Sequence, residues 1–195
     1  MLFERQKIKR LESFYRIEKG YFLIEMKYGS IKNIFNTIDP SPILDKDLND
    51  STADYITSSV QELGTDKNIK IIFYLPGNVR IAPWTRTLTQ VLHNYYEYKS
   101  QNELRTLKFL LAEGRISFLI GIVFLIICVL VGEFIPKYDQ GTLGNFAKEG
   151  LLIGGWVAMW KPVQLLLYDW WPILRKYKVY KKLCGVSAEV RKIKI

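Results

Sequence analysis

The stretch ISFLIGIVFLIICVLVGEFI, residues 116–135, decides how the rest of the chain is organised. A second apolar stretch, GLLIGGWVAMWKPVQLLLYDWW, occupies residues 150–171. A helix of about 20 apolar residues is long enough to cross the hydrocarbon core of a bilayer. Because the polar loop 136–149 joins the two stretches, the sequence predicts a transmembrane hairpin over residues 116–171.

The remaining sequence divides on either side of this hairpin. Residues 1–83 are numerous enough for a small cytoplasmic α/β domain, residues 84–115 for a connecting helix, and residues 172–195 for a basic cytoplasmic tail. The predicted fold class is α+β with a membrane part: a small α/β domain, a long helix and a two-helix transmembrane hairpin. The N-terminal sequence MLFERQKIKR lacks the apolar region of a signal peptide, so we expect the first span to direct the chain to the membrane.

The distribution of positive charge predicts the orientation, because lysine and arginine near the spans favour the cytoplasmic side. The chain carries a net charge of +9. Near the spans, unbalanced positive residues lie on the two outer flanks of the hairpin, whereas the lysines of the loop are offset by Asp139 and Glu149. We expect a multi-pass protein of the cell (inner) membrane with both termini in the cytoplasm. The flanking residues are Arg105, Lys108 and Arg115 before the first span, and Arg175, Lys176, Lys178, Lys181 and Lys182 after the second.

Two strands and a helix are predicted within the N-terminal domain. Residues 21–28 and 69–75 are short apolar runs bounded by turn residues, as strands often are. Between them, Asp50 or Ser51 is placed to cap a helix that Gly64 ends. A strand, a crossover helix and a second strand favour parallel pairing. The buried side of this helix is expected to hold Ala53, Ile56, Val60 and Leu63.

Several features of this domain stay open at the sequence level. Residues 1–19 form a charged amphipathic segment without a strict helical period. Ser30 is placed to cap a helix over residues 31–38, although a second hairpin strand fits the same residues. Two strands alone do not make a stable sheet, so we expect cover from the helix over residues 84–113 or from another chain. That helix either couples the domain to the membrane or serves as a plain stalk.

Small residues in the two spans predict where the helices approach each other. Gly121 lies in the first span, and Gly150, Gly154 and Ala158 recur at four-residue intervals in the second. We expect these two faces to pack against each other. The alternative is that they form a face for another subunit.

Lys161 and Gln164 are polar residues within the second apolar stretch. A lysine near the bilayer centre costs about 2.5–3.5 kcal/mol on insertion scales, and it needs water or a polar partner. Three interpretations remain. Lys161 extends to the cytoplasmic surface because Pro162 kinks the helix, it contacts another subunit, or it lines a water-filled path.

Polar and aromatic residues mark the predicted cytoplasmic boundary. In an antiparallel hairpin, Arg115 and Asp169 come together, and an ion pair there would fix the register of the helices. Tyr168, Trp170 and Trp171 form an aromatic cluster that is typical of the membrane interface.

The basic tail predicts contact with lipid. Arg175, Lys176, Lys178, Lys181 and Lys182 alternate with apolar residues, as in an amphipathic helix. Such a helix beside a bilayer is attracted to anionic lipid headgroups. Nucleic acid would use the same charges, but the adjacent bilayer makes lipid the better partner, and we expect no nucleic-acid binding.

The sequence offers little for catalysis or metal binding. Asp45, Asp47 and Asn49 have the alternate spacing that opens a calcium loop, but the glycine and the glutamate that such a loop requires are missing. His93 is accompanied by no nucleophile motif, phosphate loop or metal spacing. We therefore expect no catalytic residue, no cofactor and no bound metal.

Four motifs stand out along the chain: DPSP at 39–42 followed by DKDL at 45–48, GRISFLIG at 114–121, EGLLIGGWVAMWKP at 149–162 and LYDWWPI at 167–173. Together they resemble an uncharacterised family of small bacterial two-span membrane proteins. The resemblance implies a two-span topology and a bacterial membrane. It singles out Lys161, Pro162, Asp169 and Trp170 as the first positions to mutate.

Two functions fit these features best. The first is a non-enzymatic membrane protein with a cytoplasmic interaction domain, an accessory or regulatory subunit that assembles as a homo-oligomer or with other membrane subunits. The second is a self-assembling pore or signal-gated membrane effector, which requires a polar stripe along a span. An enzyme has less support, because His93 and the acidic turn are its only candidates.

Overall fold

The structure, a computed structural model, describes residues 13–77, 81–138 and 141–193. It contains two compact units: Met1–Asn102 with Lys176–Ile195, and Glu103–Arg175. The C-terminal segment therefore belongs to the same unit as the N-terminal domain. This division differs from the predicted one, in which residues 172–195 form a separate tail, because these residues supply a strand and core side chains.

A four-stranded sheet forms the centre of the first unit in the described part of the chain. Its strands are β1 (Arg16–Glu18), β2 (Tyr21–Lys27), β3 (Ile69–Leu75) and β4 (Ala188–Lys192), and they lie side by side in that order. β1 is antiparallel to β2, whereas β2, β3 and β4 are parallel. The predicted parallel pairing of β2 with β3 is confirmed. β1 falls within the segment 1–19 that the sequence left open, of which residues 1–12 lie outside the described residues.

Four α-helices complete the described residues: α1 (Asp50–Leu63), α2 (Ile81–Tyr138), α3 (Thr142–Gln164) and α4 (Trp170–Cys184), with a π-helical segment, Leu165–Asp169, between α3 and α4. α2 is 58 residues long. It continues without a break from the predicted connecting helix into the first predicted span. α4 begins within the second predicted span and ends in the predicted tail.

One face of the sheet carries the hydrophobic core of the first unit. Successive residues of a strand point to opposite faces, and β3 places Ile69, Ile71, Phe73 and Leu75 on the core side. Three helices of the same chain cover that side, and they include the helix over residues 84–113 that was expected to cover the sheet. Their buried residues include Ala53, Ile56, Val60 and Leu63 of α1, Leu88, Val91, Leu92 and Tyr96 of α2, and Val179 and Leu183 of α4.

The residue that caps the start of α1 differs from the two that were predicted. Asn49, rather than Asp50 or Ser51, caps the helix, and its side-chain oxygen accepts a hydrogen bond from the Ser51 N–H at 3.0 Å. Gly64 ends the helix with φ +90°, a conformation that favours glycine. The predicted helix, its end and its buried side are otherwise confirmed.

Residues 31–38 form neither of the two predicted elements. Ser30 acts as a cap, but only for the 3-10 turn Ile31–Ile34. Phe35 is extended and pairs with Leu48, and the Asn36 N–H donates to a neighbouring carbonyl at 2.8 Å. Because this pairing buries Phe35, the chain leaves the helical conformation after a single turn.

Two long helices of the described residues are apolar enough to cross a membrane. The most apolar 18-residue windows of Ala82–Ile135 and Thr142–Cys184 have mean hydropathies of 3.0 and 1.3, and 17% and 22% of these windows are buried. A core helix of a soluble protein would be mostly buried, whereas these helices expose most of their apolar side chains. The helices therefore suit association with a membrane.

Candidate functional site

The helices of the second unit contact each other through small residues. A Cβ atom placed on Gly155 of α3 would lie 2.8 Å from Leu125 Cδ1 and 3.2 Å from Cys128 Cβ of α2. A Cβ atom placed on Gly121 would lie 2.7 Å from Met159 Sδ. Neither position accepts a larger side chain unless its neighbours move, so the two glycines allow the helix backbones to approach closely.

The contacts between α2 and α3 run antiparallel. A Cβ atom on Gly132, near the end of α2, would lie 3.5 Å from Lys148 Cγ, near the start of α3. At the opposite end, a Cβ atom on Gly114 would lie 3.0 Å from Leu166 Cδ2. An ion pair of 2.8 Å between Glu133 Oε1 and Lys148 Nζ also joins the helices. This ion pair was not predicted, although the position of Glu133 within an apolar stretch was a signal for a polar partner.

The predicted packing face of α3 is turned away from α2. Among the described residues, nothing lies within 4 Å of a Cβ atom placed on Gly150 or Gly154. Ala158 is exposed, and its carbonyl oxygen lies 3.8 Å from the Cβ position of Gly121. The contact uses Gly155 instead, about 100° further around the helix. Small residues lie four positions before and after Gly154, whereas Leu151 and Met159 lie four positions before and after Gly155, so the spacing rule selected the wrong glycine.

An exposed stripe along α3 holds Gly150, Gly154, Lys161 and Gln164, and we call it the α3 stripe. The residues follow one another at intervals of four, seven and three residues, close to one, two and one helical turns. Lys161 makes no salt bridge or side-chain hydrogen bond within the part of the chain that the structure describes. The predicted intramembrane polar residues thus share one face with the two open glycines, on the side away from α2.

Arg115 and Asp169 do not form the predicted ion pair. The Arg115 Nε–H donates to a carbonyl oxygen of its own helix at 3.2 Å, and Asp169 Oδ1 accepts from Gln164 Nε2 at 3.5 Å. Gly114 approaches Leu166, so the register of the two helices differs by about one turn from the predicted one. This register separates the two charges.

A change of helix type follows Pro162, the residue predicted to kink the second span. Proline has no N–H to donate, and helices often bend where one is missing. Three residues later, the Leu165 N–H is shared between the carbonyl oxygens of Lys161 and Pro162. The π-helical segment Leu165–Asp169 begins at that point. Its wider turn alters the direction in which the following side chains point.

Large aromatic side chains are exposed around this π-helical segment. Tyr168 is 66% exposed and Trp171 is 62% exposed. The rings of Trp170 and Trp171 stack with their centroids 6.2 Å apart. A groove of about 410 Å³ beside Tyr168 is lined mainly by apolar side chains. This arrangement suits the interface between lipid and water, and the interfacial role of the cluster stays a prediction.

The apolar side of α4 is occupied by the first unit. Val179 and Leu183 are buried in its hydrophobic core. That side of the helix is therefore not free to enter lipid, and only the charged side remains for lipid headgroups. Four of the five predicted headgroup residues, Arg175, Lys176, Lys178 and Lys181, are exposed, and Lys182 is partly buried.

His93 has a structural role between two helices of the first unit. Its Nδ1 atom lies 2.9 Å from the carbonyl oxygen of Cys184, and its Nε2 atom lies 3.3 Å from Glu97 Oε2. The acidic turn is likewise engaged in its own fold. Hydrogen bonds from Ser41 and from the Asp47 N–H lower the pKa of Asp39 to about 2. The described residues include no group of three side chains suited to a metal ion.

The chain matches no protein-family model, no curated protein and no solved structure. The resemblance to two-span bacterial membrane proteins therefore stays an expectation from the sequence motifs.

Proposed function

We propose that this chain is a non-enzymatic membrane protein with a transmembrane hairpin, formed by α2 and α3, and a cytoplasmic interaction domain, formed by the sheet unit. It acts as an accessory or regulatory subunit of a membrane assembly, together with further copies or with other membrane subunits. Three features support the proposal: the exposed apolar surface of the helices, the order of the strands, and the α3 stripe.

The order of the strands supports an even number of membrane crossings. β3 precedes both apolar helices in the chain, β4 follows both, and the two strands are hydrogen-bonded neighbours. A single crossing would leave these strands on opposite sides of the bilayer. Two crossings return the chain to the same side, and the lysine and arginine residues on the flanks favour the cytoplasm for that side.

The α3 stripe is the feature that most strongly supports assembly with a further subunit. Within a bilayer, an exposed lysine needs a polar partner or water, and α2 lies on the opposite side of α3. Gly150 and Gly154 leave open space on the same face as Lys161, two to three turns earlier in the helix, where the backbone of a further helix can approach. A neighbouring subunit on this face would supply both the close packing and a polar partner for the lysine.

Substituting Gly154→Leu tests this proposal. No described atom outside the local helix lies within 4 Å of a Cβ atom placed on Gly154, so we expect the leucine variant to leave the single subunit stable and to dissociate the assembly. The measurement is the native mass of the complex, extracted from its own membrane into lipid nanodiscs. An unchanged mass would contradict assembly through the α3 stripe.

The adjacent glycine provides a matched control. Gly155→Leu adds the same side chain on the side that faces α2, where even a Cβ atom would approach Cys128 Cβ to 3.2 Å. We expect this variant to destabilise the single subunit, which would be measured as a lower yield of folded protein. The contrast between the two variants separates contacts within one subunit from contacts between subunits.

A self-assembling pore or signal-gated effector is the second candidate, and the polar residues of the α3 stripe favour it. If several copies turned this stripe inward, Lys161 and Gln164 would line a polar path. Ion flux from liposomes that contain the purified assembly tests this candidate. Flux that is lost in Lys161→Leu would support the pore, and tight liposomes under every assembling condition would count against it.

A further inference from the structure

A groove lies at one edge of the sheet, where its three parallel strands end. Its volume is about 640 Å³, within the range of small-molecule sites. It is lined by residues at or just after the ends of β2, β3 and β4 and by one residue of β1. In open sheets with parallel strands, ligands commonly bind at the carboxyl ends of the strands. The described lining residues are Arg16, Lys27, Tyr74, Arg191, Lys192 and Ile193.

The register of the strands places three of these side chains in one row. Lys27 of β2 pairs with Tyr74 of β3, which pairs with Arg191 of β4. Residues paired across neighbouring strands project from the same face, here the face opposite the hydrophobic core. Because neighbouring strands lie about 4.8 Å apart, the Cα atoms at the two ends of the row are about 10 Å apart. A tyrosine ring thus lies between two cationic side chains.

The charge of the groove is positive. Every charged side chain among its described lining residues is cationic. Arg16, Lys27 and Lys192 make no salt bridge or side-chain hydrogen bond within the described ranges, so their charges are available to a ligand. A concave surface with several unpaired cations attracts anions.

Arg191 and Tyr74 are held in place by carboxylates beneath the groove. Arg191 Nη1 and Nη2 donate to Glu18 at 2.8 and 3.1 Å, and Nε and Nη2 donate to Glu189 at 2.8 and 3.3 Å. The Tyr74 hydroxyl donates to Glu25 at 2.6 Å. These bonds fix the tyrosine ring and leave one N–H of the Arg191 guanidinium without a carboxylate.

We propose that this groove binds a nucleotide, a small phosphorylated anion that carries a planar ring. Its phosphates contact the side chains of Arg16, Lys27 and Lys192, and its ring packs on Tyr74 and Ile193. Phosphate oxygens are the acceptors that lysine and arginine bind most strongly, and a tyrosine face is a suitable platform for a base. The site is separate from the α3 stripe, so it stands or falls independently of the proposed assembly.

Titration calorimetry with ATP on the full chain in detergent micelles, at physiological salt, tests the proposal. We expect saturable binding that Lys27→Gln with Lys192→Gln weakens about tenfold or more, because each substitution removes a charged hydrogen bond. Lys178→Gln with Lys181→Gln makes the same change of charge on exposed residues of α4 and should leave the affinity within about twofold. All variants are first checked for an unchanged thermal unfolding midpoint. Absence of ATP binding at millimolar concentration, or an equal loss in both double variants, would overturn the proposal.

Further titrations distinguish a nucleotide from a lipid headgroup. sn-Glycerol 3-phosphate offers the phosphate of a phospholipid without a ring, and we expect it to bind much more weakly than ATP. Tyr74→Leu should weaken ATP but not glycerol phosphate, whereas Tyr74→Phe keeps the ring and should retain ATP binding. Equal affinity for the two ligands, or an unchanged affinity for ATP in Tyr74→Leu, would overturn the assignment to a nucleotide.

Discussion

At Gly155 the absence of a side chain decides how close α3 lies to α2. Gly155→Ala puts a methyl group 3.2 Å from Cys128 Cβ, an atom that no rotation can move away. Overpacking of this kind costs about 1–3 kcal/mol. We therefore expect Gly155→Ala to lower the free energy of unfolding of the helix pair, as measured by titration with denaturing detergent in micelles.

Gly154→Ala is the control, because it makes the same gain in helix propensity at a position where no described atom lies within 4 Å. The difference between the two alanine variants isolates the packing contribution. Equal stability of both would contradict the contact at Gly155. At this scale the sequence pointed to small residues in both spans, but the choice between neighbouring glycines depended on the larger side chains around them.

The edge of the sheet at β4 is protected by hydroxyl groups of α2. The N–H groups of Ala188 and Val190, both buried, donate to Thr89 Oγ1 and Thr85 Oγ1, each at 3.1 Å. An unpaired strand edge invites pairing with other chains, and a covering helix prevents it. The helix that the sequence predicted as a connection therefore also completes the sheet.

Thr85→Val and Thr89→Val should each destabilise the first unit by about 1–3 kcal/mol, because valine has the same shape but leaves a buried N–H without an acceptor. Thr87→Val is the matched control, since the Thr87 hydroxyl bonds only to the Pro83 carbonyl of its own helix. Hydrogen exchange of residues 188–192 followed by mass spectrometry would detect the loss. Equal exchange in all three variants would show that the hydroxyls do not protect this edge.

The residues that follow the two apolar helices belong to the same unit as the N-terminal residues. This arrangement predicts that both ends of the chain lie on the same side of the membrane. In a chain with both free cysteines, Cys128 and Cys184, replaced by serine, single cysteines are introduced by Thr65→Cys, Asn145→Cys and Lys178→Cys. A membrane-impermeant maleimide applied to intact cells should label only the Asn145→Cys variant. The other two should react after permeabilisation, because β3 and β4 belong to one sheet.

Labelling of Asn145→Cys together with the other two variants, from the same side, would mean that the helices do not cross the bilayer. Opposite behaviour of Thr65→Cys and Lys178→Cys would contradict the pairing of β3 with β4 in the cell. Either result would remove the hairpin from the proposed function. Labelling of all three variants from the same side would leave the ATP titration of the sheet groove unaffected. Loss of the pairing between β3 and β4 would also remove the groove, because residues of both strands line it.

The sequence alone determined the features that depend on neighbouring residues. Continuous apolar stretches identified helices suited to a membrane, and the short apolar run 69–75 together with Gly64 located β3 and the end of α1, because apolar runs and glycine conformation are local properties. Only the tertiary structure decided that β4 returns to β3, that Gly155 rather than Gly154 faces α2, and that Arg115 is separated from Asp169. Each of these depends on contacts between residues distant in the chain, which are selected by the fit of whole faces, and a local pattern carries no information about that fit.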